Sequence, residues 1–381
     1  SVTPRNPLAC YIRDKMKLRY KILNGFLAFL ALSLATLAIV IGYTAPCEPA
    51  PDSLSPDDTM KAIIYRCYGS PQVLELADVE IPKPGEADVL VRVKAASVNP
   101  LDWHYMRGSP YLMRLGTGIG APDDIRLGVD FAGVVEAVGT GVTKFSPGDE
   151  VFGGRTGAFA EYVIVPEDRA MVRKPPELSF DQATAMPIAA LTALQALRDK
   201  GELKPGQKVL INGASGGVGT FAVQIARAMG AEVHGVCSTR NVELVKSLGA
   251  DRVWDYKTED YTQGDERYDL IVDMVSNHSL SKNRGVLSPE GRLVIVGGPS
   301  GDWVTPLKRP LGAMLLAPFV DQQIIVLLAQ LSQDDLADLA AMAASGAVTP
   351  VIDRRYSLPE VPAAIRYSEE GRARGKILIE F

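Results

Sequence analysis

The chain has 381 residues, enough for two domains, and the composition of a globular protein, with 47% hydrophobic and 22% charged residues. Its net charge of −5, with no basic run in the main body, argues against nucleic-acid binding. The four cysteines are far apart in sequence, without a C-x-x-C pair, so the sequence predicts neither a disulfide framework nor a cysteine-rich zinc site.

The N-terminal region predicts a membrane anchor. Residues 26–43, FLAFLALSLATLAIVIGY, carry no charge and, as a helix rising about 1.5 Å per residue, nearly span a bilayer core. Residues 1–25 are basic and the first charges after the apolar segment are acidic, which places the N-terminus in the cytoplasm. A cleaved signal peptide is the alternative, but Ala45 and Ala50 are each followed by proline, a poor cleavage context. We expect a single-pass anchor in a bacterial cytoplasmic membrane, followed by a linker over residues 44–59.

The body of the chain changes pattern twice. Residues 60–185 contain short apolar or alternating segments separated by turn signals, which predicts a β-rich, barrel-like unit. Over residues 186–320 strands and helices alternate, which predicts a doubly wound parallel sheet. The C-terminal KILIEF is predicted to be a strand that returns to the first unit, so residues 60–185 and 321–381 would form one discontinuous domain. A helix is predicted to begin at Ser332, and the fold class is α/β.

Residues 311–331 are strongly apolar and suggest a second membrane span. Pro318, Asp321 and two glutamines break the segment into runs too short to cross a bilayer. We therefore predict a core helix or the wall of an apolar pocket.

A glycine-rich turn, NGASGGVG, follows a predicted strand and opens a helix with one apolar face. This setting predicts a dinucleotide-binding loop, because helix N–H groups and close backbone approach suit a pyrophosphate. In this loop Gly216 would allow a tight turn, Gly217 the approach of the phosphate, and Gly219 the packing of the helix on the strand. The predicted cofactor-binding residues here are Gly213, Ser215, Gly216, Gly217, Val218 and Gly219.

The end of the next strand indicates which nucleotide binds. NAD sites carry Asp or Glu about 20 residues after the glycines, but the segment CSTRN places Ser238, Thr239 and Arg240 at that corner. Ser238 and Arg240 could bind a 2′-phosphate through charge-assisted hydrogen bonds. The sequence therefore favours NADP(H), although Arg240 could also be a solvated charge at a helix start.

Further ordered segments run through residues 60–381, namely AASVNPLDWHYMRG, LGVDFAGVVEAVG, FSPGDEVFG, GAFAEY, AALTALQAL and GRARGKILI. Together with the glycine turn they resemble the medium-chain dehydrogenase/reductase superfamily, in its zinc-independent, quinone oxidoreductase-like branch. The pattern is also similar to NADPH reductases of the reticulon-interacting type. The resemblance implies a GroES-like catalytic domain, a Rossmann NADP-binding domain and, as is common in the superfamily, a homodimer.

The resemblance also implies metal-free chemistry. Zinc-dependent relatives carry Cys where Asn99 stands and a His-Glu pair at the positions of Val129 and Asp130, so no zinc ligand set is visible. Without a Lewis acid, a quinone or conjugated enone is the easier hydride acceptor, because its charge delocalises. We expect a membrane-tethered NADPH-dependent reductase of a small apolar quinone, enone or related carbonyl. NADP-dependent alcohol or aldehyde oxidoreduction and a non-enzymatic NADPH-sensing membrane protein are the alternatives.

By resemblance, Asn99 and Asp102 line the nicotinamide and substrate cleft, and Thr192 contacts the nicotinamide region. His104, two residues past Asp102, is a candidate proton donor, and a structural histidine bonded to backbone is equally consistent. Further cofactor contacts implied by the resemblance are Tyr256, Val275, Gly297, Gly298, Arg374 and Lys376.

Overall fold

The computed structural model describes residues 7–48, 58–298, 301–303, 311–313 and 320–381. The helices are α1 (Pro7–Gly42), α2 (Pro100–Arg107), α3 (Arg114–Thr117), α4 (Phe180–Thr184), α5 (Pro187–Leu194), α6 (Gly217–Ala228), α7 (Val242–Ser247), α8 (Leu280–Gly285), α9 (Gln333–Ala344) and α10 (Val361–Glu369). The strands of the first half are β1 (Thr59–Ile64), β2 (Glu75–Glu80), β3 (Asp88–Val98), β4 (Asp130–Val138), β5 (Glu150–Gly154), β6 (Tyr162–Pro166) and β7 (Met171–Arg173). Those of the second half are β8 (Lys208–Asn212), β9 (Glu232–Cys237), β10 (Arg252–Asp255), β11 (Tyr268–Asp273), β12 (Leu287–Ile295), β13 (Gln323–Val326), β14 (Ile352–Ser357) and β15 (Lys376–Glu380).

The first half folds into the predicted β-rich domain. Its main sheet has the order β14-β15-β3-β4-β5-β7, with β6 also paired to β3. Along β3 the alternate residues Val89, Val91 and Val93 are buried in one core, as the period of two of a strand requires. Strand β15 pairs antiparallel with β3, so the predicted return of the C-terminal strand to this domain is confirmed.

The second half contains the predicted parallel sheet. Six strands follow the order β10-β9-β8-β11-β12-β13, and the direction of winding changes between β8 and β11. Ligands bind at such a switch point, beyond the carboxyl ends of the strands. The apolar face of α6, which includes Phe221 and Ile225, is fully buried in the core of this domain.

The predicted domain boundary at residue 320 is wrong. Strand β13 pairs with β12, with Ile324 opposite Leu293, and completes the parallel sheet. The buried side chains of α9, such as Leu336, pack in the same core as α6, and so does Val348. The parallel-sheet domain therefore continues past residue 320, and only β14, α10 and β15 return to the β-rich domain.

For residues 311–331 the sequence predicts a core helix or the wall of an apolar pocket; the described residues 311–313 are helical, but the helix prediction is wrong over residues 320–331. Residues 320–331 contain β13 and a segment in which Leu328 is almost fully exposed; residues 314–319 lie outside the described residues. The helix predicted to begin at Ser332 is confirmed, because Ser332 is its N-cap and its hydroxyl accepts a hydrogen bond from the N–H of Asp335.

Helix α1 joins the predicted basic segment and the predicted anchor in one continuous helix. Within the described part of the chain, the stretch Lys15–Gly42 alone is long and apolar enough, by length and composition, to cross a membrane. Its apolar side chains, such as Phe29, Leu32 and Ile39, are exposed. The predicted linker is not free where it is described, because Thr44 pairs with Gly120 of the β-rich domain. Residues 49–57 lie outside the described residues.

Cys47 and Cys67 form a disulfide, with their Cα atoms 4.8 Å apart. The sequence predicts no such pair, because its four cysteines show none of the regular spacings that mark a disulfide framework. The two cysteines meet only because Cys47 lies against the β-rich domain, a tertiary contact that the local sequence pattern does not encode. Cys237, in β9, is buried and has a free thiol.

Candidate active site

The glycine-rich turn connects β8 to α6, as predicted. The positive φ of +95° belongs to Gly213, whereas Gly216 is the N-cap of α6 with an ordinary φ of −82°. The tight-turn role predicted for Gly216 therefore belongs to Gly213. A Cβ at Gly219 would lie 2.1 Å from the carbonyl oxygen of Gly213, so the close packing predicted at Gly219 is present.

This turn fits the pyrophosphate of a dinucleotide. The N–H groups of Gly217, Val218 and Gly219 begin α6 and have no acceptor within the helix, and the helix dipole adds positive potential there. A Cβ at Gly216 would meet only the Gly213 carbonyl, at 3.5 Å, so the space above this residue is open.

The corner after β9 holds the predicted nucleotide-selecting residues together. Ser238 is half-buried and Arg240 is exposed, with its guanidinium donating to the carbonyl oxygen of Arg372 at 2.7 Å. The buried amide of Asn241 donates to the hydroxyl of Ser215 at 2.9 Å and to that of Ser238 at 3.3 Å. Asn241 is therefore a site residue that the sequence does not identify, since nothing local shows that it joins the glycine turn to this corner.

A carboxylate also reaches this corner from the neighbouring strand. Asp255 is paired with Cys237 in the sheet, and its carboxylate accepts a hydrogen bond from the hydroxyl of Thr239 at 2.6 Å. That bond, together with the N–H of Lys257, holds the pKa of Asp255 below its usual value. The segment CSTRN contains no acid, but β10 supplies one. Tyr256 follows with an exposed ring, its N–H bonded to the carbonyl oxygen of Cys237.

A buried cluster of Asn99, Asp102, Asp130 and Lys376, here called the Lys376 cluster, lies between the two domains. The ammonium of Lys376 donates to the amide oxygen of Asn99 at 2.6 Å and lies 3.3 Å from the carboxylate of Asp130. The amide of Asn99 and the hydroxyl of Ser97 also donate to Asp130, at 2.8 and 2.9 Å. Burial lowers the pKa of Lys376, and the nearby carboxylates oppose that effect.

Asp102 is a fully buried carboxyl whose two oxygens differ. One oxygen accepts the backbone N–H of Asn99 at 2.7 Å, forming a capping box at the start of α2. The other, Oδ1, has no hydrogen-bond partner among the described residues. Burial, reinforced by Asp130, raises the pKa of Asp102 to about 8, against the lowering effects of the Asn99 N–H and of Lys376. The raised pKa favours the protonated form of Asp102, in which the carboxyl can donate a hydrogen bond.

The Lys376 cluster abuts the glycine turn. The N–H of Gly375 donates to the carbonyl oxygen of Ser215 at 3.0 Å, and a Cβ at Gly217 would lie 3.3 Å from Cδ of Lys376. Lys376 thus lies beside the predicted phosphate loop, with its ammonium turned toward Asn99. Arg374 is exposed, and its N–H is bonded to Asp353.

His104 lies on α2 but its hydrogen bonding does not suit the predicted proton donor. Its Nδ1 is 2.6 Å from the carbonyl oxygen of Ser109, which can only accept, so Nδ1 carries the hydrogen. Burial lowers the pKa of His104. The neutral ring therefore presents Nε2 as an acceptor, and the backbone-bonded histidine is the interpretation that fits.

Thr192 is nearly buried in α5 and donates its hydroxyl hydrogen to the carbonyl oxygen of Ile188 at 2.6 Å. Its oxygen can still accept a hydrogen bond from a ligand. The N–H of Ile188 donates to Asp130 at 3.0 Å, which fixes the start of α5 against the Lys376 cluster.

The remaining predicted cofactor contacts lie at the carboxyl edge of the parallel sheet. Val275, after β11, lies 3.0 Å from where a Cβ of Gly213 would stand, and Gly297 packs on the carbonyl of Met274. Gly298 follows directly in the chain. Beneath this edge the buried Asp273 accepts the side-chain amide of Asn212 and the backbone N–H groups after β11, which fixes the loop next to the glycine turn.

Comparisons with known proteins agree with this architecture. Residues 85–176 match the alcohol dehydrogenase GroES-like domain, and residues 248–379 match the family described as zinc-binding dehydrogenase. The chain is 35% identical to a chloroplast envelope quinone oxidoreductase homolog of Arabidopsis thaliana, over 84% of this chain and 98% of that protein. It is 33% identical to a 2-methylene-furan-3-one reductase of Solanum lycopersicum, over 86% of this chain and 80% of that protein. The structure of the quinone oxidoreductase from Coxiella burnetii superposes with a TM-score of 0.75 at 30% identity, covering 85% of this chain and 99% of that one.

The chain belongs to the quinone oxidoreductase-like branch of the medium-chain dehydrogenase/reductase superfamily. It is therefore an oxidoreductase. By the resemblance stated above, zinc-dependent relatives have Cys at the position of Asn99 and a His-Glu pair at those of Val129 and Asp130. In this protein Val129 is a buried apolar residue, and the polar atoms of Asn99 and Asp130 are hydrogen-bonded to Lys376 and to one another. Among the residues that the structure describes, no group of three or more His, Cys, Asp or Glu side chains could hold a metal ion.

Proposed function

We propose that this oxidoreductase transfers a hydride from NADPH to a quinone or conjugated enone and that α1 anchors it in a membrane. The proposal depends chiefly on one juxtaposition, that of the glycine turn with the Lys376 cluster. A phosphate loop alone supports binding only. A phosphate loop beside a buried, charged and hydrogen-bonded cleft also offers positions for a reacting carbonyl.

The corner after β9 supports NADPH as the donor. Arg240 is exposed beside Ser238, and its guanidinium lies at the segment that also carries Arg372 and Arg374. Three arginines and a hydroxyl suit a dianionic 2′-phosphate. Asp255 is an acid that would favour NADH over NADPH. Its carboxylate already accepts hydrogen bonds from the hydroxyl of Thr239 and the N–H of Lys257, so it is less available to bind a ribose hydroxyl.

The cleft residues suit a carbonyl acceptor whose oxygen gains negative charge. Bound NADPH supplies the hydride. The protonated Asp102 has a free oxygen that can donate a hydrogen bond, while the ammonium of Lys376 provides a fixed positive charge nearby. Such preorganised donors stabilise developing charge without a metal. The oxygen of Thr192 can accept from a hydroxyl or amide of the ligands.

The test is turnover by the full-length protein in lipid nanodiscs. NADPH consumption would be followed optically with a panel of quinones and enones, beside a matched panel of simple alcohols and aldehydes. We expect turnover with the quinones or enones and little with the saturated carbonyls. Tight NADPH binding without oxidation by any acceptor would reject the proposal and favour a nucleotide sensor. Turnover only of alcohols, abolished by chelators, would favour zinc-dependent chemistry.

A further inference from the structure

The C-terminal end of α1 is held by a buried arginine of the catalytic domain. The guanidinium of Arg114 donates to the carbonyl oxygen of Ile41, in the last turn of the helix, at 3.1 Å and to that of Tyr43, directly after the helix, at 2.8 Å. The carbonyls at this end of α1 carry the negative end of the helix dipole, so a cation there is favourable. The guanidinium also packs over the rings of Tyr68 and Tyr111, 4.6 and 4.2 Å from their centroids. Arg114 is only 2% exposed.

Two further attachments follow directly along the chain. The N–H of Ala45 donates to the carbonyl oxygen of Gly120 at 2.8 Å, and Cys47 is bonded to Cys67. The helix therefore meets the domain through a short, fixed connection, unlike the flexible linker that a simple tether would use. The direction in which α1 leaves the domain determines which face of the domain lies toward a membrane.

That face carries a group of exposed apolar residues, the collar, formed by Leu112, Leu115, Ile119 and Trp303. Their side chains are between 44% and 56% exposed. Trp303 packs edge-on against Tyr111 and lies 3.0 Å from where a Cβ of Gly42 would stand. The leucines are neighbours in the chain of Arg114, which binds the end of α1, and Ile119 precedes Gly120, which binds Ala45, so the collar lies near the point where α1 leaves the domain. Isolated exposed apolar residues are ordinary, but such a group continuous with an apolar helix suits a lipid surface, with tryptophan at headgroup level.

The collar is close to the cleft. Ser109, whose carbonyl binds His104 of α2, donates its hydroxyl to the carboxylate of Asp302 at 2.8 Å. Asp302 is followed by Trp303, and Gly298, at the cofactor edge of the sheet, stands five residues before that tryptophan. At no more than about 3.5 Å per residue, the Cα atom of Trp303, one residue of the collar, lies within roughly 18 Å of that of Gly298.

We propose that the collar rests in the headgroup region of the bilayer and holds the mouth of the cleft against it, so that the apolar acceptor arrives from the lipid phase. The catalytic part of this inference rests on the proposed reductase function. The lipid surface is preferred to a second copy of the chain because the collar adjoins the base of a helix whose exposed apolar length suits a bilayer.

Docking of the collar on the bilayer can be tested by a measurement that does not depend on enzyme activity. The full-length protein, in nanodiscs of ordinary or brominated phospholipid, would be compared with Trp303→Phe by tryptophan fluorescence. We expect brominated lipid to quench the wild-type emission, and the quenched component to be absent from Trp303→Phe. Trp254 is buried in the parallel-sheet domain and serves as an internal reference. Trp303 emission that brominated lipid leaves unchanged would overturn the proposal, and a dimer cross-linked through the collar would identify a second copy as its occupant.

Delivery of the acceptor from lipid is tested by the triple variant Leu112→Asp, Leu115→Asp, Ile119→Asp, with Leu76→Asp, on strand β2, as the control for an exposed apolar position outside the collar. We expect the triple variant to lose about tenfold in rate with a long-chain quinone confined to the nanodisc, and to keep its rate with a short water-soluble quinone. Equal effects on both quinones would contradict lipid delivery. Quenching of Trp303 without turnover of either quinone would reject the reductase function and leave membrane docking standing.

Discussion

Lys376 is the residue whose ammonium links most of the buried polar groups of the cleft. It is 2% exposed and lies 3.3 Å from Asp130, which is fully buried. Burial of one charge is tolerated only because the opposite charge and the amide of Asn99 compensate for it. The family resemblance predicts that Lys376 lies near the cofactor. It does not predict the ion pair with Asp130, which forms because strands β15 and β4 lie on either side of β3.

We expect Lys376→Met to lower the free energy of unfolding by about 3–5 kcal/mol, because it leaves Asp130 buried without its cation. The double variant Lys376→Met, Asp130→Asn should recover much of that loss, since it removes both charges. Lys174→Met is the matched control, because Lys174 is buried but its partner Glu150 is half exposed. Chemical unfolding of the four proteins measures this, and an equal loss in the single and double variants would contradict it.

Asp102 predicts a pH dependence of stability. Its folded-state pKa of about 8 lies above the ordinary 3.8, so the folded protein keeps a proton that the unfolded chain releases. This contribution to stability is full below the unfolded pKa and is lost as the pH rises through the folded pKa. Relative to Asp102→Asn, the wild type should lose up to about 1.4 kcal/mol of unfolding free energy per pH unit over this window. Parallel profiles of the two proteins would show that Asp102 is ionised in the fold.

Arg240 and Asp255 predict cofactor selectivity in opposite directions. Arg240→Ala should weaken NADPH binding by about 1.5–3 kcal/mol, the value of a hydrogen bond to a charged group, and leave NADH nearly unchanged. Asp255→Asn removes a negative charge beside the same corner and should strengthen NADPH binding. Dissociation constants for both cofactors with each variant measure this, and loss of NADH and NADPH affinity by the same factor in Arg240→Ala would show that Arg240 does not contact the 2′-phosphate.

At the scale of elements, the glycine turn and its helix were predictable because strand, turn and amphipathic helix are local patterns. The return of β15 to the β-rich domain was also predicted, since a strand at the end of the chain needs a sheet to join, but its pairing with β3 was not. Strand β13 could not be predicted, because Gln323 and the polar residues before it resemble a loop that ends the sheet and not an edge strand. Asp255 was missed for a related reason: it comes from β10, so only the neighbouring strands bring it to the corner.

Replacement of two glycines of the turn by alanine should have different effects on stability. Gly219→Ala should destabilise the junction of β8 and α6 and weaken cofactor binding severely, because its Cβ would lie 2.1 Å from a backbone oxygen that cannot yield. Gly216→Ala is the control, since its Cβ would meet only ordinary van der Waals contact in the absence of cofactor. Thermal unfolding without cofactor separates the two, and similar melting temperatures for both variants would contradict the packing role of Gly219.

At the scale of the whole molecule, the proposed membrane anchor predicts on which side of a membrane the catalytic domain lies. The basic residues before the apolar segment and the acidic ones after it favour a cytoplasmic N-terminus, with the domain on the opposite side. The disulfide between Cys47 and Cys67 also favours a position of the domain outside the cytoplasm, because disulfides persist in oxidising compartments. The proposed donor, NADPH, is a cytoplasmic cofactor, so the charge distribution and the proposed cofactor predict opposite sides of the membrane for the oxidoreductase domain.

We expect the charge distribution to determine the topology and the disulfide to form as its consequence. A C-terminal fusion to alkaline phosphatase, which is active only outside the cytoplasm, should be active in a bacterial host, while a fusion to a fluorescent protein that matures in the cytoplasm should stay dark. In the same cells Cys47 and Cys67 should resist alkylation until a reductant is added, and Cys47→Ser should expose Cys67 to the reagent. An inactive phosphatase fusion together with freely alkylated cysteines would place the domain in the cytoplasm, with direct access to NADPH, and would contradict this topology.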